Sequence, residues 1–373
     1  MSQMKQTDPR DEYFMTRCLA LALRGRGQVS PNPMVGAVLA REDSILGEGW
    51  HERFGAVHAE VSAVRSARGD VRGATLYVNL EPCAHWGKTP PCTDLLISAG
   101  IARLVAAMKD PNPAVAGRGF RKLRRAGVSV SVGVMEKEAR ALNEAYIHHT
   151  LTGLPFVALK VAQSLDGNIA ASDGGSRWIT SEESRCYVHE LRASYDAVLV
   201  GAGTVRSDDP SLTVRLVEGR NPRRVVLDGD FKMSPRAALL SDRLSDNTIV
   251  ITSMRALERN RRKSALLEKR GVTLVGIRRG PKGRLPLDSV LAALSDLGVA
   301  SLLVEGGSDV FSEFIAQRLV QKVYIFQAPL LLGDGIKWTQ GIGIRSMKGT
   351  VALNHADVRR IGDDILVEGY PKW

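Results

Sequence analysis

Short runs of β-branched and apolar residues recur along this chain, separated by stretches whose apolar residues repeat at helical spacing. That alternation commits the backbone to a layered α/β architecture. The first half carries the runs MVGAVLAR, SILGEGW and ATLYVN (74–79), with further strands predicted at 102–107 and 128–132. A helix is predicted from Asp11 to Arg24, where Tyr13, Phe14, Leu19, Leu21 and Ala22 keep the spacing until the glycines at 25 and 27 stop it. Further helices are predicted from about Ala59, near 93–99 and 117–126, and from Glu136 to Thr150. The second half repeats the pattern. FVALKVAQ, DAVLVG, RRVVLD, TIVITS, VTLVGI, SLLVEGG and KVYIFQAPLL read as strands, with helices at 181–194, 256–270, 287–297 and 308–317.

At 373 residues the chain exceeds what one core ordinarily supports. The Gly and Pro of TGLPF (152–156) mark a boundary, so two α/β domains are expected, 1–150 and 151–373.

Lys and Arg total 51 against 40 Asp and Glu, which suits an anionic partner, either nucleic acid or a small phosphorylated molecule. The basic run from Arg255 to Arg270 is interleaved with Leu257, Leu266 and Leu267, and reads as an amphipathic helix with a solvated face rather than a nucleic-acid patch. No apolar run approaches the ~20 residues of a membrane span, and the polar start MSQMKQTDPRDEYF has no secretion-signal core. A cytoplasmic location without membrane contact is expected. In a reducing compartment, cysteines grouped in a motif are better suited to metal than to a disulfide. Of the four, Cys18 and Cys186 fall in helical patterns and read as packing residues.

The other two belong to the constellation that carries the chemistry: His58-Ala59-Glu60, then Glu81-Pro82-Cys83, then Cys92. One His and two Cys make a zinc set, and three protein ligands leave a tetrahedral position open, as catalysis needs. Zinc brings the pKa of its water towards ~7, so hydroxide becomes available to attack an electrophilic ring carbon. Glu60, at the start of a helix, stands where it can move that proton to a ring nitrogen and then to departing ammonia. His-x-Glu followed by Pro-Cys is the arrangement of zinc nucleobase deaminases. A structural zinc completed by His51 or His85 is the alternative, but it gives Glu60 no task. The eight residues between the cysteines replace the usual C-x-x-C and place His85 and Lys88 on a loop beside the metal.

With SPNPMVGAV, GEGWH, HAE and EPCAHWGKTPPC in the first half, and KVAQSLDGNIA, SRWIT, LRA, GAGTVRSDDPSLTVR and VEGGS in the second, the chain resembles the bifunctional riboflavin-biosynthesis deaminase-reductase family over nearly its whole length. The resemblance implies a cytidine-deaminase-like three-layer α/β/α domain followed by a dihydrofolate-reductase-like α/β domain. It also implies two steps. The 2-amino group of 2,5-diamino-6-ribosylamino-4(3H)-pyrimidinone 5′-phosphate is hydrolysed with zinc, and the ribosyl unit of the product is then reduced with NADPH. Carried over by motif, zinc falls on His58, Cys83 and Cys92, acid and base on Glu60, and substrate contacts on Asn32, His51, His85 and Lys88. From the residues alone, Asn32 is equally a turn residue between two prolines, and Lys88 a solvated loop charge.

In the second half no G-x-G-x-x-G follows a strand. Gly201-Ala-Gly-Thr204 and Gly306-Gly307-Ser308 do follow strands, and the latter opens a helix whose amides could hold a pyrophosphate. The resemblance assigns NADPH contacts to Ala162, Trp178, Thr204, Asp208 and the stretch Gly307, Ser308, Asp309, Val310, Phe311. It assigns substrate contacts to Ser176, Arg192, Leu212, Arg215 and Glu305, with Lys160 a further candidate at the ribose. Arg192 and Arg215 suit phosphate because a guanidinium offers paired donors. Ser253 and Arg255, after TIVIT, are candidates for the cofactor 2′-phosphate. Hydride transfer to C1′ of a ring-opened imine needs no protein nucleophile. The family suggests a homo-oligomer, dimer or tetramer, acting on phosphorylated pyrimidines rather than nucleic acid. A tRNA- or DNA-acting deaminase and a zinc-stapled nucleotide sensor are the rival readings.

Overall fold

The structure, a computed structural model, describes residues 8–86, 90–113, 115–281 and 283–373. It divides into two compact units, Met1–Gly153 and Leu154–Trp373. No helix among the described residues is long and apolar enough to cross a membrane.

The first unit runs α1 (Pro9–Leu23), β1 (Gly36–Arg41), β2 (Ser44–Trp50), α2 (Ala59–Ser66), β3 (Thr75–Val78), α3 (Cys92–Ser98), β4 (Arg103–Ala106), α4 (Arg118–Arg125), β5 (Ser129–Val132), α5 (Glu136–Leu142) and α6 (Glu144–Thr152). Its sheet has the order β2-β1-β3-β4-β5, with β1 antiparallel to both neighbours and β3, β4 and β5 parallel. Alternation along β1 divides the core between two faces. Ala37 and Leu39 pack with Ala59, Ala63, Leu96 and Leu123 of α2, α3 and α4, whereas Val38 and Ala40 meet Phe14, Met15 and Cys18 of α1. The result is three layers. The α2 helix lies directly on β2, where a Cβ at Gly49 would come within 2.4 Å of the Ser62 side chain.

The second unit runs β6 (Phe156–Ser164), β7 (Asn168–Ala170), α7 (Glu182–Ser194), β8 (Ala197–Gly201), α8 (Ala202–Asp208), β9 (Arg223–Leu227), α9 (Ala238–Ser241), β10 (Thr248–Ser253), α10 (Met254–Arg259), α11 (Arg261–Lys269), β11 (Thr273–Ile277), α12 (Leu287–Asp296), β12 (Ser301–Val304), α13 (Ser308–Ala316), β13 (Lys322–Ala328), β14 (Ile336–Lys337), β15 (Leu353–Ile361) and β16 (Asp364–Pro371). The main sheet has the order β11-β10-β9-β8-β12-β6-β13-β16-β15, parallel from β11 to β13 and antiparallel beyond. Its central strands β8 and β12 are buried at every position, which is why they read as unbroken apolar runs.

Two helices expected to be continuous are broken, each at an asparagine. The predicted helix from Glu136 is interrupted at Asn143, whose side chain bonds both the N–H and the C=O of Met34 (2.8 and 3.0 Å). The predicted helix 256–270 is interrupted at Asn260, whose amide turns back to the Ala256 carbonyl (2.8 Å). The hairpin β15–β16 went unpredicted because β15 is exposed along most of its length and shows no apolar alternation.

Arg224 on β9 is 1% exposed, yet it carries a full set of partners: Asp242 by two bonds (2.6 and 2.9 Å), Thr248 Oγ1, and the carbonyls of Ser211, Leu239 and Leu244. It fastens α9 and the loops after α8 and α9 to the sheet. Arg224→Met leaves these acceptors without their donor, so we expect a loss of about 3 kcal/mol in urea-unfolding stability of the second unit. A change below about 0.5 kcal/mol would show the network to be dispensable.

Candidate functional site

In the first unit three segments converge. His58 is the N-cap of α2, Cys92 opens α3, and Cys83 lies in the chain leaving β3. Their donor atoms all lie within 4.8 Å of one another, with His58 Nδ1 3.2 Å from Cys92 Sγ and 3.6 Å from Cys83 Sγ. Tetrahedral zinc, about 2.0 Å from nitrogen and 2.3 Å from sulfur, would hold such donors roughly 3.5 Å apart. The electrostatics agree, since a thiolate is favoured here. The Cys83 thiol is pushed down to about 4, chiefly by the hydrogen bond with Cys92 and, against the opposing effect of burial, also by His58, while the Cys92 thiol is pushed up. The set therefore fits zinc.

Glu60 is 4% exposed in the first turn of α2. Burial, then the Cys83 charge, pushes its carboxyl up to about 6, and it hydrogen-bonds with the Cys92 thiol. His51 stands edge-on to His58 with ring centroids 5.7 Å apart. Its Nδ1 bonds the Val57 carbonyl (3.1 Å) and its Nε2 meets Asn32 Nδ2 (3.0 Å), a pattern met by neutral imidazole carrying its proton on Nδ1; burial lowers its pKa in the same sense. The structure thus brings Asn32 and His51 to the metal set. His85 stands exposed on the loop between the cysteines, and Lys88 lies outside the described residues.

Residues to which motif reading gave no role hold this arrangement. Glu81 accepts from the amides of Gly117 and Gly119 (both 2.8 Å), Phe120 (3.3 Å) and Asp110 (3.2 Å), tying the Cys83 strand end to the start of α4. Asn79 bonds the Gly36 amide and the Met34 carbonyl, and so shares with Asn143 the task of fixing the loop that carries Asn32. Their signal was present as polar residues in apolar surroundings at strand and helix ends.

In the second unit a cleft of about 1510 Å³ opens at the carboxyl ends of the parallel strands. Of the second-half candidates, Lys160, Ala162, Ser176, Trp178, Arg192, Thr204, Asp208, Leu212, Arg215, Glu305 and the stretch from Gly307 to Phe311 line it. Its volume exceeds that of most single-ligand pockets and has room for a dinucleotide beside a second molecule. Gly307 takes φ +79° at the N-cap of α13, a conformation that favours glycine, and a Cβ there would come within 3.2 Å of Thr204 Oγ1. Ser253 and Arg255 do not line the cleft. Ser253 is buried, and its hydroxyl caps α10 by accepting from the Ala256 amide.

At the centre of the cleft, Glu305 receives two bonds from Arg192 (2.6 and 2.8 Å) and faces Lys160 Nζ at 4.0 Å. Burial opposes its charge, but the Arg192 and Lys160 cations hold its carboxyl at about 2. Burial lowers the Lys160 pKa, an effect that Glu305 opposes and Arg192 reinforces. Since Arg192 is engaged by Glu305 and the Thr213 carbonyl, Arg215, bonded to the Ser211 hydroxyl, is the better placed of the two for an incoming phosphate. His189 accepts the Arg215 amide at Nδ1 (2.9 Å), and burial, then the charges of Arg192 and Arg215, push its pKa down to about 4.

The family described as cytidine and deoxycytidylate deaminase zinc-binding region matches residues 8–108, and the RibD C-terminal domain matches residues 155–367. A Bacillus amyloliquefaciens protein named riboflavin biosynthesis protein RibD is 39% identical over 97% of this chain and 96% of its own length. The RibD of Aquifex aeolicus is 41% identical over 96% and 97%. The chain belongs to the RibD family. Among solved structures, Acinetobacter baumannii RibD aligns with TM-score 0.87 at 35% identity, covering 98% of this chain and 99% of that one. The Thermotoga maritima diaminohydroxyphosphoribosylaminopyrimidine deaminase/5-amino-6-(5-phosphoribosylamino)uracil reductase aligns with TM-score 0.86 at 41% identity over 97% and 99%. The protein is a bifunctional enzyme of riboflavin biosynthesis, with a zinc-dependent deaminase domain of cytidine-deaminase type and an NADPH-dependent reductase domain of dihydrofolate-reductase type.

Two outcomes follow from this geometry. Metal analysis of the purified protein should find zinc, and Cys92→Ser should lose it; full zinc retention in that variant would place the metal elsewhere. Because folding lowers the His189 pKa, the unfolded chain takes up that proton first as pH falls below about 6.5. Stability of the reductase domain is therefore lost between there and about 4. Thermal melts of His189→Gln should show a shallower decline across that window than the parent, and parallel curves would count against it.

Proposed function

We propose that the first domain hydrolyses the 2-amino group of 2,5-diamino-6-ribosylamino-4(3H)-pyrimidinone 5′-phosphate, and that the second reduces the resulting 5-amino-6-(5-phosphoribosylamino)uracil to the ribitylamino product. The observation that carries this reading is a three-donor metal set with a buried carboxylate bonded to one of its donors. The names of the Thermotoga relative's two activities agree with it.

In the deaminase site His58, Cys83 and Cys92 hold zinc, whose Lewis acidity makes water a competent nucleophile near neutral pH. Glu60 takes a proton from the water that adds to the ring carbon bearing the 2-amino group. It delivers that proton to the adjacent ring nitrogen, then moves a second one to the departing amine, so that ammonia leaves and a carbonyl remains. Asn32 and His51, linked to each other beside His58, bind the pyrimidine edge, and His85 with Lys88 meets its polar substituents.

In the reductase cleft NADPH supplies the hydride. Ala162, Trp178, Thr204, Asp208 and the start of α13 from Gly307 to Phe311 hold the cofactor, while Ser176, Leu212, Glu305 and Arg215 hold the substrate. Lys160, depressed by burial and oriented by Glu305, gives its proton at the ribose oxygen as the ring opens to the imine. Arg192 acts through Glu305.

The same reading places the enzyme in the cytoplasm as a homo-oligomer. Its cysteines are unpaired, and the outer edge of β15 meets no further strand among the described residues, which leaves a place for a second copy.

A coupled assay that follows ammonia and nicotinamide absorbance together tests both halves. Glu60→Gln should retain zinc but lose ammonia release by roughly 10²-fold or more, and should still oxidise NADPH when given the deaminated substrate. Lys160→Met should show the converse. Full ammonia release by Glu60→Gln would remove the proposed proton carrier. Action on RNA, but not on the free nucleotide, would favour a nucleic-acid deaminase.

A further inference from the structure

Several cations line the reductase cleft, and the reaction outlined above uses only those around Lys160 and Arg215. Another group lies past the carboxyl end of β9, where Lys232 and Arg279 line the same cleft. Arg279 comes from the loop after β11 and is built into this position. Its Nη2 donates to the Gly229 carbonyl (2.7 Å) and to Asp230, and its Nη1 to the Gly283 carbonyl. Lys232 Nζ stands 3.1 Å from the other Asp230 oxygen. Two cations share the Asp230 carboxylate, while the neighbouring Asp228, also in the lining, is buried and accepts the Met233 amide (2.7 Å).

Strand order relates this group to the reaction centre. From β6, which carries Lys160, the sheet passes through β12 and β8 to β9. Three steps at about 4.8 Å each separate the two ends by roughly 14 Å, within the reach of an extended dinucleotide. With the nicotinamide beside Lys160 and the pyrophosphate at the N-terminus of α13, the adenosine ribose comes to lie towards β9. An uncommitted acid at such a strand end would accept the ribose 2′-hydroxyl and repel a 2′-phosphate. Asp230 is instead occupied by the two cations.

We infer that Arg279 and Lys232 read the 2′-phosphate that distinguishes NADPH from NADH, with Asp230 holding both at the rim of the cleft. The inference rests on the reading of this cleft as the NADPH site. Ser253 and Arg255, the candidates drawn from sequence, lie outside it.

Titration calorimetry of the full-length protein with NADP+ and with NAD+ tests the assignment. Arg279→Ala should weaken NADP+ binding roughly tenfold or more, as expected for loss of a charge-assisted phosphate contact, and leave NAD+ affinity unchanged. Lys232→Ala should act in the same direction, and Arg279→Lys should recover part of the loss. In turnover, KM for NADPH should rise with little change in kcat. Equal NADP+ affinity in the parent and Arg279→Ala would overturn the inference while leaving the cleft's role intact. Equal losses for both nucleotides would also overturn it, showing Arg279 to be a scaffold of the Gly229 and Gly283 turns. Failure of the parent protein to bind NADP+ would overturn the reading of the cleft itself.

Discussion

Parallel strands gather their carboxyl ends along one edge of a sheet, where backbone groups leave the ladder and must find other partners. In the first domain that demand is met around the end of β3. Glu81 takes four amides, Asn79 takes the Gly36 amide, and the Cys92 amide donates to Cys83 Sγ (3.3 Å). The metal donors inherit their positions from this settlement of backbone bonds. Helix α2 can bring His58 and Glu60 to the same place because Gly49 lets it lie against β2. In the second domain the ends of β6, β8, β9 and β12 open on the cleft, and each supplies residues to its lining.

Electrostatics then distinguish the two sites. Around His58 the balance favours a thiolate, so the pocket is completed by a cation. Around Glu305 three basic side chains, Lys160, Arg192 and Arg215, surround a single carboxylate, and His189 is kept neutral by burial and by those same charges. That pocket gathers positive charge, and part of the chain's basic composition lies there.

Much of this was legible in the order of residues. Burial on both sides of a parallel sheet writes unbroken apolar runs, so the central strands could be read directly, and His58, Glu60, Cys83 and Cys92 declared a metal chemistry because few other tasks need those types together. Less legible were the breaks at Asn143 and Asn260, since the competing bonds are made by side chains whose partners lie elsewhere in the fold or one turn back. The exposed strand β15 and the buried Arg224 contradict ordinary expectations of strand and surface, and both depend on neighbours distant in sequence.

The sequence by itself determined the alternating layers and the grouping of His58, Cys83 and Cys92, because each is expressed in periodicity or in residue types whose chemistry is specific. Only the tertiary structure decided which charges are committed and which remain for ligands. It gave Arg192 to Glu305, made Ser253 a helix cap, and carried Arg279 from beyond β11 to the end of β9. A charge acts through distance and dielectric, and both are set by which segments the fold brings together.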